Sequence, residues 1–499
     1  MTVGIIGAGA MGTGIAQVAA AAGETVLLYD ARSGAAATAI ASVRKRFDQL
    51  AAKGKMTAAD ASAAAARLTP ASALPKLSAA GLIIEAIVED LAVKRALFAS
   101  LDAILAPDCL LATNTSSLSL AAIATALRAP ERLAGMHFFN PAPLMALVEV
   151  VGSVVTAPAS LDAIERLARA WGKAPVRVRA TPGFIVNRVA RPYYAEGLRL
   201  LAEQATDPAT LDALLREAGG FRMGPCELTD LIGQDVNFAV TCSVFHAYFG
   251  DPRFQPSLVQ QELVEAGWLG RKSGRGFFAY GPDAPPPQPR QEPPFPPPQR
   301  IAIAGVQGND ALADVLAARI ESAGVAVTRD PRLPTDVVLQ VTDGRTALDC
   351  ELAYGDQPQP TVVADLALDF SAVTRLALAA SPHCHAEAWA SIAGALQAAG
   401  IAVARLRDLP ALAVLRTVAM LANEAADAVY FGVADAAGVD LAMRKGVNYP
   451  RGPLAWADQI GLARIHSALT SLGAFYGEDR YRISPLLRQL AQRGARFHE

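Results

Sequence analysis

Short runs of β-branched and aliphatic residues alternate with Ala-rich stretches along residues 2–180. The runs fit the strands of a mainly parallel sheet, and the Ala-rich stretches fit its crossover helices. The predicted strands are TVGIIGAG, ETVLLYD, GLIIEAIV, LLATNTS, LAGMHFF, LMALVEVV and APVRVRA. Thr181-Pro182-Gly183 ends this pattern, and residues 184–278 are predicted to be mostly helical.

A proline-rich segment divides the chain. Ten of its 33 prolines lie between Pro282 and Pro298, where they disfavour helices and sheets and predict an extended, semi-rigid spacer. After the spacer, residues 301–408 alternate again, with IAIAGVQGND and GVAVTRD as the first predicted strands. Residues 410–495 are predicted to be helical, so the second part of the chain follows the plan of the first.

The two helical segments are related by an internal repeat without gaps. At one constant spacing, which we call the repeat offset, Pro182 is matched by Pro410, Arg188 by Arg416, Glu196 by Glu424, Gly224-Pro225 by Gly452-Pro453, Asp230 by Asp458 and Gly233 by Gly461. At one position the copies differ in an informative way, since Asn187 is replaced by Leu415. We interpret the pattern as a duplication whose second copy has lost a polar residue.

Composition narrows the class of protein. Hydrophobic residues make up 52% of the 499 residues, charged residues 18%, and the net charge is −2, so we expect neither a disordered nor a nucleic-acid-binding chain. The sequence has no apolar run of about 18 residues and no basic N-terminal region, which predicts no membrane span and no signal peptide. Five scattered cysteines without a CxxC pair fit reduced thiols, so a cytoplasmic location is predicted.

A glycine motif between the first strand and the first helix predicts a dinucleotide site. Gly7-Ala8-Gly9-Ala10-Met11-Gly12 has the GxGxxG spacing, which allows a tight turn, approach of a pyrophosphate and close helix packing. Asp30 ends the second strand, where a carboxylate accepts hydrogen bonds from ribose hydroxyls and repels a 2′-phosphate. We therefore predict NAD as the cofactor, bound by Gly7, Gly9, Ala10, Met11, Gly12 and Asp30. The matching turn after the spacer, 305–310, lacks this spacing and carries Asp310, so no dinucleotide is predicted there.

His137 and Glu149 are predicted to form a catalytic pair. Glu149 lies in the apolar run LVEVV, and a carboxylate buried there needs a partner because an unpaired buried charge is costly. A strand-turn-strand hairpin would bring it to His137 of GMHFF. The carboxylate would fix the imidazole tautomer and stabilise the imidazolium, which suits a general base for oxidation of a hydroxyl group by hydride transfer.

The motifs GAGAMG, IVED, NTSS, HFFNP, LVEV, PGFIVNR and GRKSGRGFF, with Asp30, closely resemble the (S)-3-hydroxyacyl-CoA dehydrogenase family over residues 3–280. The resemblance implies that His137 is the base and Glu149 its orienting acid. It also implies that Ser116 of NTSS and Asn187 of PGFIVNR bond the oxygen functions of an acyl-CoA substrate. Glu89 of IVED would lie beside the nicotinamide half of the cofactor.

Two further clusters carry weaker signals. Lys45, Arg46, Lys53 and Lys55 lie where the family has basic residues for the CoA phosphates, although a solvated helix face explains them equally well. In His383-Cys384-His385, adjacent side chains of an extended segment would point to opposite faces, so no metal site is predicted.

The second part of the chain contains GVNYPRGPLAWADQIG and FYGEDRYRISPLL. It resembles the longer bacterial members of the family, which act in phenylacetate degradation on 3-hydroxyadipyl-CoA. Because HFFNP, GxGxxG and the counterpart of Asn187 are missing from it, we predict that this part is catalytically empty. In shorter members the helical domain forms a homodimer, so we predict either a monomer with an internal pseudo-dimer or a homo-oligomer.

These features predict an α/β Rossmann-type domain followed by an all-α domain, a degenerate Rossmann-like segment and a second α domain. The expected bounds are 1–181 for the NAD-binding domain with the catalytic pair, 182–280 for the helical domain, 281–300 for the linker, 301–409 for the degenerate domain and 410–499 for the second helical domain. The predicted function is NAD-dependent oxidation of (S)-3-hydroxyacyl-CoA, with 3-hydroxyadipyl-CoA as the substrate. The alternatives are a 3-hydroxybutyryl-CoA or fatty-acid β-oxidation enzyme, a sugar-acid dehydrogenase, and an NAD-binding sensor or structural protein.

Overall fold

The structure, a computed structural model, describes residues 1–304, 310–329, 337–355 and 358–498. The chain forms two compact units. The first unit consists of Met1–Arg188 and Phe431–Val447, and the second of Val189–Tyr430 and Asn448–Glu499. These units are not divided at the domain bounds expected from the sequence, which stay predictions.

All residues of the first unit are described, and an eight-stranded sheet forms its centre, in the order β3-β2-β1-β4-β5-β6-β7-β8. Its strands are β1 (Thr2–Ile6), β2 (Thr25–Tyr29), β3 (Leu68–Pro70), β4 (Leu82–Glu85), β5 (Leu110–Thr113), β6 (Leu133–Phe138), β7 (Leu147–Gly152) and β8 (Ala174–Arg179). Its helices are α1 (Ala10–Ala21), α2 (Ala35–Ala52), α3 (Ala58–Ala66), α4 (Leu91–Asp102), α5 (Leu120–Ala124), α6 (Pro158–Ala170), α7 (Val186–Val189) and, from the second helical repeat, α17 (Ala436–Gly446). Neighbouring strands are parallel except β6 and β7, which are antiparallel.

The central strands are buried because helices cover both faces of the sheet. Every residue of β4 and β6 is buried, and only the first residue of β1 and of β5 is not. Uninterrupted aliphatic runs are typical of such strands. The prediction of a Rossmann-type α/β domain is confirmed. Strand β3 was not predicted, because three residues ending in Pro70 give no strand pattern.

Helix α17 comes from the second helical repeat but belongs to the first unit. It packs on β7 and β8. A Cβ on Gly446 would lie 2.6 Å from the Leu147 side chain, and one on Gly438 would lie 3.1 Å from Val176. Just before the helix, the Val433 carbonyl oxygen accepts a hydrogen bond of 2.8 Å from Arg179 N at the end of β8. The sheet of the first unit is thus completed by residues near the far end of the chain.

In the described ranges of the second unit, the sheet has six strands in the order β10-β9-β11-β12-β13-β14. These strands are β9 (Arg300–Ala304), β10 (Ala326–Thr328), β11 (Val338–Val341), β12 (Thr361–Ala364), β13 (Arg375–Ala380) and β14 (Ala402–Arg405). The helices are α8 (Arg191–Ala202), α9 (Pro208–Glu217), α10 (Pro225–Ile232), α11 (Gln234–Ala247), α12 (Leu258–Glu265), α13 (Ala311–Ser322), α14 (Ala347–Leu352), α15 (Ala386–Ala398), α16 (Val414–Tyr430), α18 (Pro453–Ile460), α19 (Leu462–Tyr476) and α20 (Pro485–Arg493). The pair β12 and β13 is antiparallel, as β6 and β7 are.

The internal repeat extends beyond its helical part. The starts of β11, β12, β13, α15 and β14 follow those of β5, β6, β7, α6 and β8, respectively, at the same repeat offset. Strands β10 and β11 are separated only by residues 329–337, which are too few for a counterpart of the segment from α2 to α4. The prediction of a degenerate Rossmann-like segment followed by a second helical copy is confirmed, and the degeneration is a deletion within the sheet. Of the turn 305–310, where no dinucleotide was expected, residues 305–309 lie outside the described residues.

The proline-rich spacer is extended, and it is held along the second unit. Glu292 N donates to the Val403 carbonyl oxygen at 2.8 Å, which adds the spacer to the β14 edge. Trp389 Nε1 donates to the Glu292 carboxylate at 2.8 Å. Further along, Phe295 N donates to Gln397 Oε1 at 2.8 Å. The spacer is therefore part of the folded second unit.

Two corresponding helices of the internal repeat, α9 and α17, are exchanged between the two sheets. Helix α17 is the counterpart of α9 at the repeat offset, and α9 packs on β13 of the second sheet, where Leu368 N donates to the Ala218 carbonyl oxygen at 2.8 Å. The first helical repeat thus covers the second sheet through α9, and the second helical repeat covers the first sheet through α17. The helices that directly precede α9 and α17, namely α8 and α16, pack on each other through the buried Arg416, which donates to Glu196 at 2.7 Å and to Glu203 at 3.1 Å.

Among the helices of the described ranges, none combines the length and apolar character needed to cross a bilayer.

Candidate active site

The turn between β1 and α1 leaves open space beside its backbone. Gly7 has φ +106°, and a Cβ on it would lie 2.4 Å from the Ala86 carbonyl oxygen. A Cβ on Gly12 would lie 1.8 Å from the Gly7 carbonyl oxygen, so α1 packs closely against the turn. A Cβ on Gly9, by contrast, would meet no described atom within 4 Å. Packing within the protein does not require this glycine, whereas approach of a pyrophosphate to the start of α1 does.

Asp30 lies directly after β2 and is bonded to the same turn. Its Oδ2 accepts a hydrogen bond of 2.8 Å from Ala8 N, and its Oδ1 accepts bonds from Arg32 N at 2.9 Å and Arg32 Nε at 3.1 Å. Partial burial raises the pKa of Asp30, but the bonds from Arg32 and Ala8 outweigh this and hold it below its usual value. The carboxylate is therefore ionised at neutral pH and able to accept hydrogen bonds from a ribose.

A groove of about 960 Å³ opens between α1 and α2 beside this turn. Gly9 and Ala10 line it on one side, and Arg32 and Arg46 supply positive charge. Met11, the next residue of α1, is half-buried. The residues present fit NAD, because the groove joins a glycine turn, free helix amides and the carboxylate beside them.

Glu89 organises the loop that carries Ser116. Its Oε1 accepts hydrogen bonds from Thr115 Oγ1 at 2.5 Å, Ser116 N at 3.1 Å and Ser117 Oγ at 2.9 Å. Both Glu89 and the NTSS loop follow neighbouring parallel strands, β4 and β5, so they meet at one edge of the sheet. The structure thus brings two of the predicted site residues together.

A buried lysine lies beneath this loop. Lys94 is 1% exposed, and its Nζ lies 2.5 Å from Glu85 Oε1 and 3.3 Å from Glu89 Oε2. Burial raises the pKa of Glu89, but the hydrogen bonds from Thr115 and Ser117 and the charge of Lys94 lower it below the usual range. Sequence reasoning missed Lys94 and Thr115, because an isolated lysine or threonine in a helix or loop gives no signal of such a contact.

His137 and Glu149 are cross-strand neighbours in the antiparallel pair β6 and β7. His137 Nδ1 lies 2.7 Å from Glu149 Oε2, and the side chains are both buried. The rings of Phe139 and Phe184 flank the imidazole at centroid distances of 4.6 and 5.7 Å. The hairpin therefore delivers the imidazole to the carboxylate and surrounds it with apolar rings.

The second oxygen of Glu149 is bonded at the start of α7. Glu149 Oε1 accepts hydrogen bonds of 3.0 Å each from Ile185 N and Val186 N. Both carboxylate oxygens thus have partners, which satisfies a buried charge. Asn187 is the next residue of α7 and is half-buried, so it lies one residue from this contact. All four predicted catalytic residues belong to the first unit.

The predicted CoA-binding lysines are not gathered at a site. Lys45 lies on α2, Lys53 and Lys55 follow it, and all three are exposed. Of the basic residues in this segment, Arg46 lines the groove and the three lysines do not. Their role as CoA contacts stays a prediction.

The second half has different residues at the corresponding positions. At the repeat offset Asp365 corresponds to His137 and Ala377 to Glu149, and Asp365 N donates to the Ala377 carbonyl oxygen at 2.9 Å. The Asp365 carboxylate accepts hydrogen bonds from the backbone amides of Ala413 at 2.9 Å and Val414 at 2.7 Å, the counterparts of Ile185 and Val186. A carboxylate thus occupies the place of the imidazole.

The His-Cys-His cluster forms one pair in the described part of the chain. His383 Nδ1 lies 2.6 Å from Glu351 Oε1. Within the described ranges there is no group of three or more His, Cys, Asp or Glu side chains arranged to hold a metal ion.

Family models match most of the chain. Residues 2–181 match the NAD binding domain of 3-hydroxyacyl-CoA dehydrogenase, and residues 183–280 and 413–496 match its C-terminal domain twice. Residues 339–410 match the reduced Rossmann-fold domain of 3-hydroxybutyryl-CoA dehydrogenase.

Individual relatives agree with these models. A 3-hydroxyadipyl-CoA dehydrogenase of Escherichia coli K12 is 46% identical over 98% of this chain and 97% of its own length. A probable 3-hydroxybutyryl-CoA dehydrogenase of Bacillus subtilis is 38% identical over 55% of this chain and 96% of its own length. A crystal structure described as 3-hydroxybutyryl-CoA dehydrogenase from Escherichia coli K12 matches with a TM-score of 0.87 and 44% identity, covering 99% of this chain and 98% of that one.

Proposed function

This chain belongs to the 3-hydroxyacyl-CoA dehydrogenase family, and from that premise we propose how its residues perform NAD-dependent oxidation of an (S)-3-hydroxyacyl-CoA to the 3-oxoacyl-CoA. The observation that carries the proposal is the buried His137–Glu149 pair, with Nδ1 and Oε2 2.7 Å apart. A base is needed because the substrate hydroxyl must lose a proton as its carbon loses a hydride. NAD, when bound, accepts that hydride.

His137 takes the hydroxyl proton in this mechanism. Because Glu149 is bonded at Nδ1, the tautomer that it favours carries the proton there and leaves Nε2 free to accept another. The imidazolium that forms is stabilised by the adjacent carboxylate, whose second oxygen is fixed by Ile185 N and Val186 N. The rings of Phe139 and Phe184 exclude water from the side chain.

Ser116 and Asn187 position the reacting oxygen in the same proposal. Ser116 is held through its backbone amide by Glu89, and Asn187 lies one residue beyond the Val186 amide that Glu149 binds. Gly7, Gly9, Ala10, Met11, Gly12 and Asp30 hold the adenosine and pyrophosphate part of NAD, and Glu89 lies at its nicotinamide half. The acyl-CoA phosphates are expected near Arg46 and the exposed lysines.

The substrate proposed is 3-hydroxyadipyl-CoA. The support is the relative of that name, which matches this chain over nearly its full length. The full-length structure described as a 3-hydroxybutyryl-CoA dehydrogenase favours a second candidate, 3-hydroxybutyryl-CoA. A place in phenylacetate degradation stays a prediction that depends on the first candidate.

Steady-state NADH formation with both thioesters separates the candidates. We expect kcat/KM for 3-hydroxyadipyl-CoA to exceed that for 3-hydroxybutyryl-CoA by about tenfold or more, because a bound distal carboxylate contributes roughly 1.5–3 kcal/mol. A ratio below one would assign the shorter substrate. Absence of NADH formation with either thioester would contradict the proposed mechanism.

We also propose that the enzyme works as a monomer with one catalytic site in each chain. The support is the reciprocal placement of α9 on the second sheet and of α17 on the first, by which one chain covers both of its sheets. Light scattering is expected to give the mass of a single chain. A stable dimer in solution would contradict this proposal and leave the catalytic one untouched.

A further inference from the structure

A cavity of about 190 Å³ lies within the second unit, beside α8, α12 and the turn Pro252–Phe254. Four arginines line it, namely Arg191, Arg199, Arg253 and Arg480. Among the described residues, no aspartate or glutamate side chain lines it. Three of the four arginines are at most 6% exposed, so their charges are shielded from bulk water.

Comparison of the two copies of the internal repeat shows that Arg480 and its counterpart have different partners. The turn YFGDPRF recurs as FYGEDRY at a spacing one residue shorter than the repeat offset, and this alignment makes Arg253 and Arg480 counterparts. Arg253 is ion-paired with Asp427 of α16. The counterpart of Asp427 on α8, at the repeat offset, is Arg199. Arg480 therefore has an arginine at the position where Arg253 has a carboxylate.

Arg480 has fewer ion-paired carboxylates than its counterpart Arg253, which is paired with Asp251, Glu424 and Asp427. Arg199 and Arg480 share one carboxylate oxygen of Glu478, at 2.9 Å from Arg199 Nη2 and 3.5 Å from Arg480 Nε. Arg480 Nη2 donates to Gln255 Oε1 at 3.1 Å, but its buried Nε has no hydrogen-bond acceptor among the described residues. Burial lowers the pKa of Arg480; the charge of Glu196 opposes this shift and the charge of Arg199 adds to it, so that the pKa lies below its usual value.

We propose that this cavity binds a small anion with a carboxylate or phosphate group, held by Arg480 and Arg199. Guanidinium groups bind both kinds of oxyanion through paired N–H donors. A volume of about 190 Å³ corresponds to roughly six water molecules, which fits inorganic phosphate or a short dicarboxylate and excludes a nucleotide. The site is built from the second unit alone, so it does not depend on the proposed catalytic residues.

Thermal unfolding and titration calorimetry of the full chain test the proposal with two probes, inorganic phosphate and succinate. Sodium chloride at equal ionic strength is the control for screening. We expect at least one probe to raise the unfolding temperature in a saturable way and to bind with one site per chain. A response to phosphate alone or to succinate alone identifies the anion class.

Two variants locate the binding. Arg480→Gln is expected to weaken binding about tenfold or more, since it removes a charged donor from the anion. Arg482→Gln is the matched control, because Arg482 is two residues away and does not line the cavity. It should leave the affinity within about twofold of the wild type.

Arg199→Asp supplies the carboxylate that the other half already has at Asp427. We expect this variant to be at least as stable as the wild type without anion, and to lose the response to it. The Arg199→Asp variant therefore tests anion binding at this cavity even if Arg480→Gln fails to fold. The proposal is overturned if neither probe acts beyond sodium chloride, or if Arg199→Asp keeps the full response.

Discussion

The proposed catalytic pair in the first half and its counterpart in the second half supply a buried acceptor to helix amides in two different ways. In both halves the first amides of a helix need a buried acceptor. In the first half Glu149 of β7 supplies it and still has an oxygen for His137 of β6. In the second half Asp365, at the position of His137, supplies the acceptor itself, and Ala377 replaces Glu149. The fold requires only a carboxylate, whereas the proposed mechanism requires that the carboxylate come from the neighbouring strand.

The halves also differ in the space beside the site. Gly344 corresponds to Ser116 at the repeat offset. A Cβ on Gly344, which has φ +105°, would lie 2.2 Å from Ala468 Cα of α19. The helix therefore closes over the position where the first half carries its serine. Arg464 of the same helix is ion-paired with Asp310, the last residue of the turn for which no dinucleotide is predicted.

Separate substitutions of His137 and of its counterpart Asp365 should give the largest difference between the halves, in kcat/KM. His137→Gln keeps a hydrogen-bonding group beside Glu149 but removes the base, so kcat/KM is expected to fall about a hundredfold to ten-thousandfold. Asp365→Asn, the matched change in the second half, should leave kcat/KM within about twofold. Equal losses in the two variants would show that the second half takes part in catalysis.

Introducing the missing serine tests whether the second half is closed. Gly344→Ser places a side chain against the α19 backbone at a positive φ, so we expect a loss of about 3 kcal/mol in stability. The loss is measured as a lower unfolding temperature. The reciprocal variant Ser116→Ala should change stability by less than about 0.5 kcal/mol. If Gly344→Ser is tolerated equally well, α19 does not seal this position.

The smallest expected difference concerns pH. Burial raises the pKa of Asp365 to about 6, although the amides of Val414, Leu415 and Ala413 oppose the shift. The folded protein then holds this proton more tightly than the unfolded chain, whose pKa is near the usual 3.8. The contribution of Asp365 to stability therefore falls as the pH rises from about 4 to 6 and stays low above that.

Asp365→Asn should remove this dependence. The free energy of unfolding, compared between wild type and variant from pH 4 to 7, is expected to shift by about 2 kcal/mol in favour of the variant. Glu149→Gln is the comparison in the first half. A wild-type stability that tracks the variant at every pH would show that Asp365 is ionised throughout.

Much of the first half could be predicted because its signals are local. The glycine spacing, Asp30 and the alternation of LVEVV each act within a few residues or one hairpin. The meaning of Asp365 could not be predicted, because it depends on its register beside Ala377 and on amides far along the chain, at Ala413 and Val414. The contact of Lys94 with Glu85 and Glu89 was missed for the same reason, since a buried ion pair has no sequence period. Likewise, the apolar face of α17 does not specify which sheet it covers.

The position of α17 has a consequence for biosynthesis. The last strand of the first sheet, β8, ends at Arg179, but the helix that covers it is complete only at Gly446. At ordinary rates of translation the ribosome needs on the order of ten to fifty seconds to make the intervening chain. During that time the apolar surface of β7 and β8 is not covered by α17. The first unit therefore cannot complete its fold until the chain has been made as far as Gly446.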